Sequence, residues 1–346
     1  MTKVYVGMSG GVDSSLTAAL LVEQGYDVTG VYMKNWTQDL PGMKCPWADD
    51  LADAKRVAVQ LGINFKVFDF ETEYKQKVVD YMIEEYKLGR TPNPDIMCNQ
   101  EVKFKIFLET SLEDGADMIA TGHYARVKDG KLLQAVDTNK DQTYFLYRVT
   151  GEALKKTLFP LGEFTKPVVR EMAKERGLFT ASKKDSQGIC FVGQIGIREF
   201  LSQYVQQEAG AIIDKKTGNV LGQHDGAIFY TIGQRHGLDV GGGFPYYVVG
   251  KDMDKNEVYV TTNLNDEALW RPELTLQAAL WINDTPVSGQ YQVRVRHRAS
   301  LITATLTFND DKTISLVLDT AERAVAPGQS VVIYNNEECI GGGIIA

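Results

Sequence analysis

No run of about eighteen apolar residues occurs in the chain, so the sequence offers no candidate for a membrane-spanning helix. The amino terminus enters a strand-like segment without the charged-then-apolar pattern of a signal peptide, and the expectation is a cytoplasmic protein with no membrane partner. Cysteine is scarce: the four residues Cys45, Cys98, Cys190 and Cys339 are widely spaced. They form neither a disulfide framework nor the paired spacing of a zinc finger, and no metal-ligand set is expected from the protein itself. Positive charge is in deficit, at a formal net charge of −8. That argues against indiscriminate nucleic-acid binding, which needs lysine and arginine against phosphate, while leaving room for a local basic face.

A glycine- and serine-rich stretch is present near the start. Gly7-Met8-Ser9-Gly10-Gly11-Val12-Asp13-Ser14-Ser15 stands between an apolar strand, Val4–Val6, and a helical run, Leu16–Gln24. Glycines let backbone approach a ligand, and hydroxyls and amides at a helix start donate to anionic oxygens, so the stretch reads as an anion cradle. No lysine follows the glycines, which excludes the P-loop pattern, and no dinucleotide fingerprint is present. SGGVDSS resembles the pyrophosphate-binding loop of the ATP pyrophosphatase group, whose members adenylate a substrate. That resemblance implies a doubly wound parallel sheet.

At 346 residues two or three domains are expected. The first half alternates strand and helix: Val28–Met33, then Ala48–Leu61, then Phe65–Phe70, a further helix Tyr74–Lys87, a helix over Gln100–Glu113 and a buried strand Met118–Thr121. In such α/β sheets ligands sit beyond the carboxyl ends of the strands, so the first loop, Met33 and Gly122 should border one crevice. Between two helices, Gly89-Arg90-Thr91-Pro92-Asn93-Pro94-Asp95-Ile96-Met97-Cys98-Asn99 reads as a polar surface loop. Asp95, three residues before Cys98 at a helix start, can serve as acid/base beside a thiol whose ionised form the helix dipole favours. The bland alternative is a buried cysteine acting as a small hydrophobe.

Leu88 to Asp95 with Cys98-Asn99, together with SGGVDSS, closely resembles the tRNA-specific 2-thiouridylase family. Thr121-Gly122-His123-Tyr124-Ala125-Arg126, Lys140 to Leu146 and Lys184 to Phe191 are similar to further signatures of that family, in its order. The resemblance implies sulfur transfer to the wobble uridine of tRNA. A pyrimidine carbonyl oxygen leaves poorly, and adenylation by ATP, with Mg2+ offsetting phosphate charge, converts it into AMP. By resemblance Cys190 carries sulfur as a persulfide, Cys98 frees it by forming a disulfide with Cys190, and Asp95 handles protons. Read from residues alone, Cys190 is a structural thiol. Carried over position by position, ATP contacts fall on Gly7, Met8, Ser9, Gly10, Gly11, Val12, Asp13, Ser14, Met33 and Gly122. Target-base contacts fall on Asn93, Pro94 and Asp95, and tRNA contacts on His123, Lys140, Asp141, Gln142, Arg296, His297 and Gln329. His297 stands where the family pattern leads one to expect tyrosine.

The segment assigned to the catalytic domain is 1–205; it includes a helix at Lys166–Arg176, and Lys183 and Lys184 are its candidates for RNA contact. From 206 to 268 the chain turns glycine-rich, with short strands at Ala211–Asp214, Asn219–Gly222, Phe229–Gly233, Tyr246–Asp252 and Glu257–Thr261. From 269 to 346 alternating strands at Tyr291–Arg298, Thr303–Phe308, Ile314–Leu318 and Ser330–Tyr334 predict a small β-barrel that binds tRNA. Alternation along the first of these puts Arg294, Arg296 and Arg298 on one face as a basic patch. The implied partners are tRNA and a cysteine desulfurase or sulfur carrier, and the expected state is a monomer. Three rivals remain: an adenylating synthetase for a small molecule, a non-catalytic RNA binder, and a thiolase whose Cys45, Cys98 and Cys190 hold an iron–sulfur cluster.

Overall fold

Val4, Tyr5 and Val6 have no exposed surface, as β-branched and aromatic side chains covered on both faces of a sheet should. They form β1 (Lys3–Gly7), the centre of a parallel sheet that also contains β2 (Asp27–Lys34), β3 (Asn64–Asp69) and β4 (Met118–Ala120). The computed structural model describes residues 1–39, 45–184, 196–241 and 243–346, and Cys190 lies outside the described residues. Two helices cross between the first three strands, α1 (Val12–Glu23) and α2 (Trp47–Leu61). The next two cover 71–87 (α3) and 94–113 (α4), each with a π-wound middle, at Lys75–Asp80 and Cys98–Ile106.

Between β4 and the last strand of this sheet the chain makes a hairpin, β5 (Arg126–Lys128) and β6 (Lys131–Leu133), which leaves the sheet altogether. Strand β7 (Thr157–Leu158) then completes the order β3-β2-β1-β4-β7, all parallel. The order reverses between β1 and β4, and a crevice opens beyond their carboxyl ends, where doubly wound sheets bind ligands. Helix α5 (Lys166–Glu175) packs beside α1.

A second sheet holds β8 (Gly210–Asp214), β9 (Val220–His224), β10 (Tyr247–Asp252) and β11 (Glu257–Thr261) in the order β10-β11-β8-β9. The strand expected at Phe229–Gly233 is instead a 3-10 turn, Ala227–Phe229, followed by a loop. Gln234 accounts for it: its side-chain oxygen accepts from Thr231 N at 3.0 Å and its amide donates to His236 O at 2.9 Å, folding the chain back.

The third sheet closes. Strands β12 (Trp270–Trp281), β13 (Gly289–Arg294), β14 (Ile302–Phe308), β15 (Ile314–Arg323), β16 (Ser330–Asn335) and β17 (Glu338–Ile345) form an antiparallel barrel sealed by β12 against β17. Leu276, Val293, Leu306, Leu316, Val331 and Ile333 fill it without exposure, each side chain contributing roughly 1.5–3 kcal/mol on burial. The β5–β6 hairpin adds to β17, pairing Leu132 with Cys339, so the parallel-sheet unit and the barrel share one continuous ladder.

Buried polar groups fasten the same junction. Arg294 Nη1 donates to Asp141 Oδ2 at 2.9 Å with side chains 9% and 1% exposed. Tyr144 OH donates to Ser330 O at 2.9 Å, and Thr143 Oγ1 lies 3.1 Å from Tyr334 OH. The expected one-face patch of Arg294, Arg296 and Arg298 is therefore corrected. The strand ends at Arg294, which is buried and paired, and the chain turns after it. Arg294→Met leaves the Asp141 charge buried and uncompensated, and denaturant titration should read a loss of roughly 3–5 kcal/mol; a loss below about 1 kcal/mol would contradict this account of the junction.

Candidate active site

The Gly7–Ser14 turn builds one wall of the crevice. Gly10 takes the left-handed conformation (φ +72°), and Ser14, buried at the start of α1, accepts from Ser9 N at 3.2 Å and donates to Gly11 O at 3.2 Å. Ser15 Oγ also donates to Gly11 O, at 2.7 Å. Gly122 closes in from the end of β4. A Cβ there would come within 2.8 Å of Asp13 C and 2.9 Å of Ser14 N, so only glycine lets β4 pack against the loop without pushing it outward.

The crevice has a volume of about 470 Å³. Gly7, Met8, Ser9, Gly11, Val12, Asp13, Ser14, Met33 and Gly122 line it, as do His123, Lys140, Gln142 and His297. The first strand end, the second, the fourth and the barrel thus meet at one cavity. Arg298 reaches the same cavity from the barrel turn, in a left-handed conformation (φ 64°) that is uncommon for a residue with a Cβ.

Asp13 does not cap α1. Its carboxylate accepts from Lys166 Nζ at 2.7 and 2.8 Å and from Tyr124 OH at 2.8 Å. Lys166 begins α5, and its side chain is 10% exposed. The cation missing after the glycines is therefore supplied from 153 positions downstream. Asp50, a second carboxylate of the wall, lies 3.0 Å from Lys183, which also holds Asp53 at 2.7 Å. Lys183, expected to face RNA, is engaged within the protein.

Asp95 and Cys98 are not on a surface loop. Asn93 Oδ1 accepts from Asp95 N and Ile96 N at 3.1 and 3.2 Å, capping α4 with Pro94 in its first turn. The helix thus starts six residues before Gln100, and Pro94, Ile96 and Cys98 are all buried. Cys98 sits beyond the first turn with 3% exposure, where the helix dipole has fallen off, so the dipole argument for its thiolate does not hold. Burial raises the Asp95 carboxyl above its ordinary range, opposed by attraction to Lys103. Lys103, about one π turn beyond Cys98, lines the crevice. The same cation and, more strongly, burial hold His123 well below the usual imidazole range. His123 is packed between Phe104 and Phe159, with Nδ1 2.7 Å from Thr121 Oγ1.

Most of the remaining assigned residues have partners within the protein. Asp141 is held inside the protein by Arg294, Ala135 N and Thr143 Oγ1, with 2% exposure. Gln142 is tied to Tyr124 by Tyr124 N to its side-chain oxygen at 2.8 Å, and Gln329 Oε1 folds back to accept from Ala326 N at 3.1 Å. Arg296 donates to Glu322 and Arg323 O. The His297 ring lies tilted at 44° against that of Phe145, centroids 4.5 Å apart, and burial beside Arg298 and Arg294 pushes it down to about 4. Among the described residues no group of three or more His, Cys, Asp or Glu side chains converges as a metal site.

Family models match the chain in three consecutive pieces. They are described as a tRNA methyl transferase HUP domain over residues 2–194, a tRNA methyl transferase PRC-barrel domain over 198–262 and an aminomethyltransferase beta-barrel domain over 271–345. Curated proteins named tRNA-specific 2-thiouridylase MnmA, from Bacillus cytotoxicus and Bacillus thuringiensis (strain Al Hakam), are 48% and 47% identical over 351 residues, spanning 99% of this chain and 94% of theirs. The chain belongs to the tRNA-specific 2-thiouridylase family. A solved structure, the U34-tRNA thiolase NcsA of Methanococcus maripaludis with its [4Fe-4S] cluster, aligns at a TM-score of 0.38 and 19% identity over 59% of this chain and 65% of that one, too slight a likeness to bear on residue roles. Relative to the thiouridylase pattern read from sequence, the structure adds Lys166, Tyr124 and Lys103 to the site. Tyr124 falls within the Thr121–Arg126 signature, whereas no local motif marks Lys103, which lines the crevice, or Lys166, which meets the site through Asp13; both arrive by tertiary packing.

Proposed function

We propose that this chain is an ATP-dependent sulfurtransferase that converts the wobble uridine of tRNA to 2-thiouridine. The observation that carries the reading is one crevice walled on one side by the Ser9–Ser14 anion cradle and on the other by His297 and Arg298 of the barrel. A cradle of amides and hydroxyls suits a pyrophosphate leaving group, and a basic barrel turn suits an RNA strand brought against it. The whole-chain likeness to proteins named 2-thiouridylase supports sulfur as the group transferred, in preference to the methyl group named in two family descriptions.

In this reading the uracil O2 attacks the α-phosphorus of ATP and pyrophosphate leaves into the loop, held by the Ser9, Ser14 and backbone donors. Asp95 takes the N3 proton as O2 becomes nucleophilic. The terminal sulfur of a Cys190 persulfide then attacks C2 and AMP departs with the original oxygen. Attack of the Cys98 thiolate on Cys190 Sγ breaks the sulfur–sulfur bond to the base, leaving 2-thiouridine and a Cys98–Cys190 disulfide that an external dithiol must reduce. The persulfide comes from a cysteine desulfurase or a sulfur carrier. Magnesium would be carried in by the triphosphate oxygens, because the crevice carboxylates Asp13 and Asp50 are already paired with lysines.

Product analysis with unmodified tRNA, ATP and a persulfide donor tests the adenylation step. AMP and pyrophosphate should form in equal amounts with 2-thiouridine; release of ADP and phosphate in their place would overturn it.

A further inference from the structure

Residues 89–92 join the parallel-sheet unit to both other sheets immediately before the helix that bears Asp95 and Cys98. From the barrel, Pro327 O accepts from Thr91 N at 2.7 Å. From the second sheet's unit, Thr231 Oγ1 lies 3.3 Å from Thr91 Oγ1. The barrel turn that supplies Pro327 is itself pinned, since Gly328 N donates to Ile345 O at 2.9 Å and Ile345 N to Gln329 O at 2.8 Å. Between Thr91 and the cap residue Asn93 stands Pro92, and Pro94 follows. Two fixed φ angles leave little slack to absorb a shift at Thr91 before it reaches Asp95 N and Ile96 N on the Asn93 cap.

We infer that Thr91 is a positioning residue through which the second sheet and the barrel jointly set the place of Asp95 and Cys98, so that the chemical step depends on a three-way joint outside the crevice. The inference rests on the thiolation reading for its kinetic test but not for its structural one. Gly328→Ala is the discriminating change. Gly328 has φ +87°, and a Cβ there would stand 2.8 Å from Thr91 N, 2.8 Å from Arg90 Cβ and 3.2 Å from Thr91 C, so backbone must move. Thr231→Val is the gentler companion, removing only the hydroxyl on the other side.

In Gly328→Ala the single-turnover rate of 2-thiouridine formation at saturating ATP and tRNA should fall by about tenfold to a hundredfold, as a misplacement near 1 Å produces, with both dissociation constants within about twofold of wild type. Amide hydrogen exchange at Asp95 and Ile96 should quicken while α1 keeps its protection. Thr231→Val should show the same pattern at smaller amplitude. Wild-type rates and exchange in Gly328→Ala would overturn the inference, and so would protection lost equally throughout the molecule, which marks plain destabilisation. If wild-type protein forms no 2-thiouridine, the functional reading fails on its own and the exchange comparison still decides the joint.

Discussion

Asp95→Asn should lower the rate of 2-thiouridine formation by roughly 100-fold to 10,000-fold, the range of a lost general acid–base group, while ATP affinity stays within about twofold. Burial favours the neutral carboxyl and raises its titration above the ordinary carboxylate range. A base raised toward the working pH accepts a proton more readily, and the acid limb of the wild-type rate profile should lie above that range accordingly. Lys103 pulls the other way, so Lys103→Met should move the limb to still higher pH. The same shift has a stability consequence of definite sign. Because the folded chain holds this proton at a pH where the unfolded chain has released it, stability falls as pH rises from the ordinary carboxylate value through the raised one. Above that window the wild type bears the cost of a buried charge that asparagine lacks. Urea titration at pH 8 should find Asp95→Asn the more stable protein, with the gap closing below the unfolded carboxyl value, by about pH 3. An Asp95→Asn variant with wild-type rate, or one less stable than wild type at pH 8, would sink the assignment.

Lys166→Met should weaken ATP binding by roughly tenfold to a hundredfold, or about 1.4–2.8 kcal/mol, without changing tRNA affinity. Lys166 is the cation of the loop, 2.7 and 2.8 Å from the two Asp13 oxygens. Without it Asp13 presents a carboxylate to the triphosphate with the Tyr124 hydroxyl left to moderate it. Asp13 is 32% exposed, so solvent screens part of the repulsion and the effect stays below that of a fully buried pair. The double variant Lys166→Met/Asp13→Asn should recover part of the affinity, since the repelling charge is gone. Calorimetry on the four proteins of this cycle gives the coupling directly. Unchanged ATP binding in Lys166→Met would show that the pair serves only to dock α5.

What the sequence allowed and what it concealed follow from how local each signal is. The parallel sheet and the anion loop were legible because their cues are contiguous: apolar strands, helical spacing, then glycine and serine at the strand end. The β5–β6 hairpin also carries a local cue, Asp129-Gly130, both at positive φ as a tight hairpin turn requires, but its strands are three residues long and charged. Strand β17 was obscured by Gly341, Gly342 and Gly343, which lower strand propensity while letting β16 and Tyr147 pack closely. The residues 94–99 looked like a loop because two prolines flank Asn93; Asn93 turns them into a capped helix start. Arg294 looked exposed by alternation because its partner Asp141 is 153 positions away. Lys166 was invisible for the same reason.

Mass spectrometry of nucleosides from unmodified tRNA, incubated with the protein, ATP, Mg2+ and a persulfide donor, tests the central claim most directly. The account predicts 2-thiouridine at the wobble position with wild-type protein, and none with Cys98→Ala or Cys190→Ala variants that still bind tRNA. Absence of 2-thiouridine from wild-type reactions in which tRNA and ATP are both bound would contradict it.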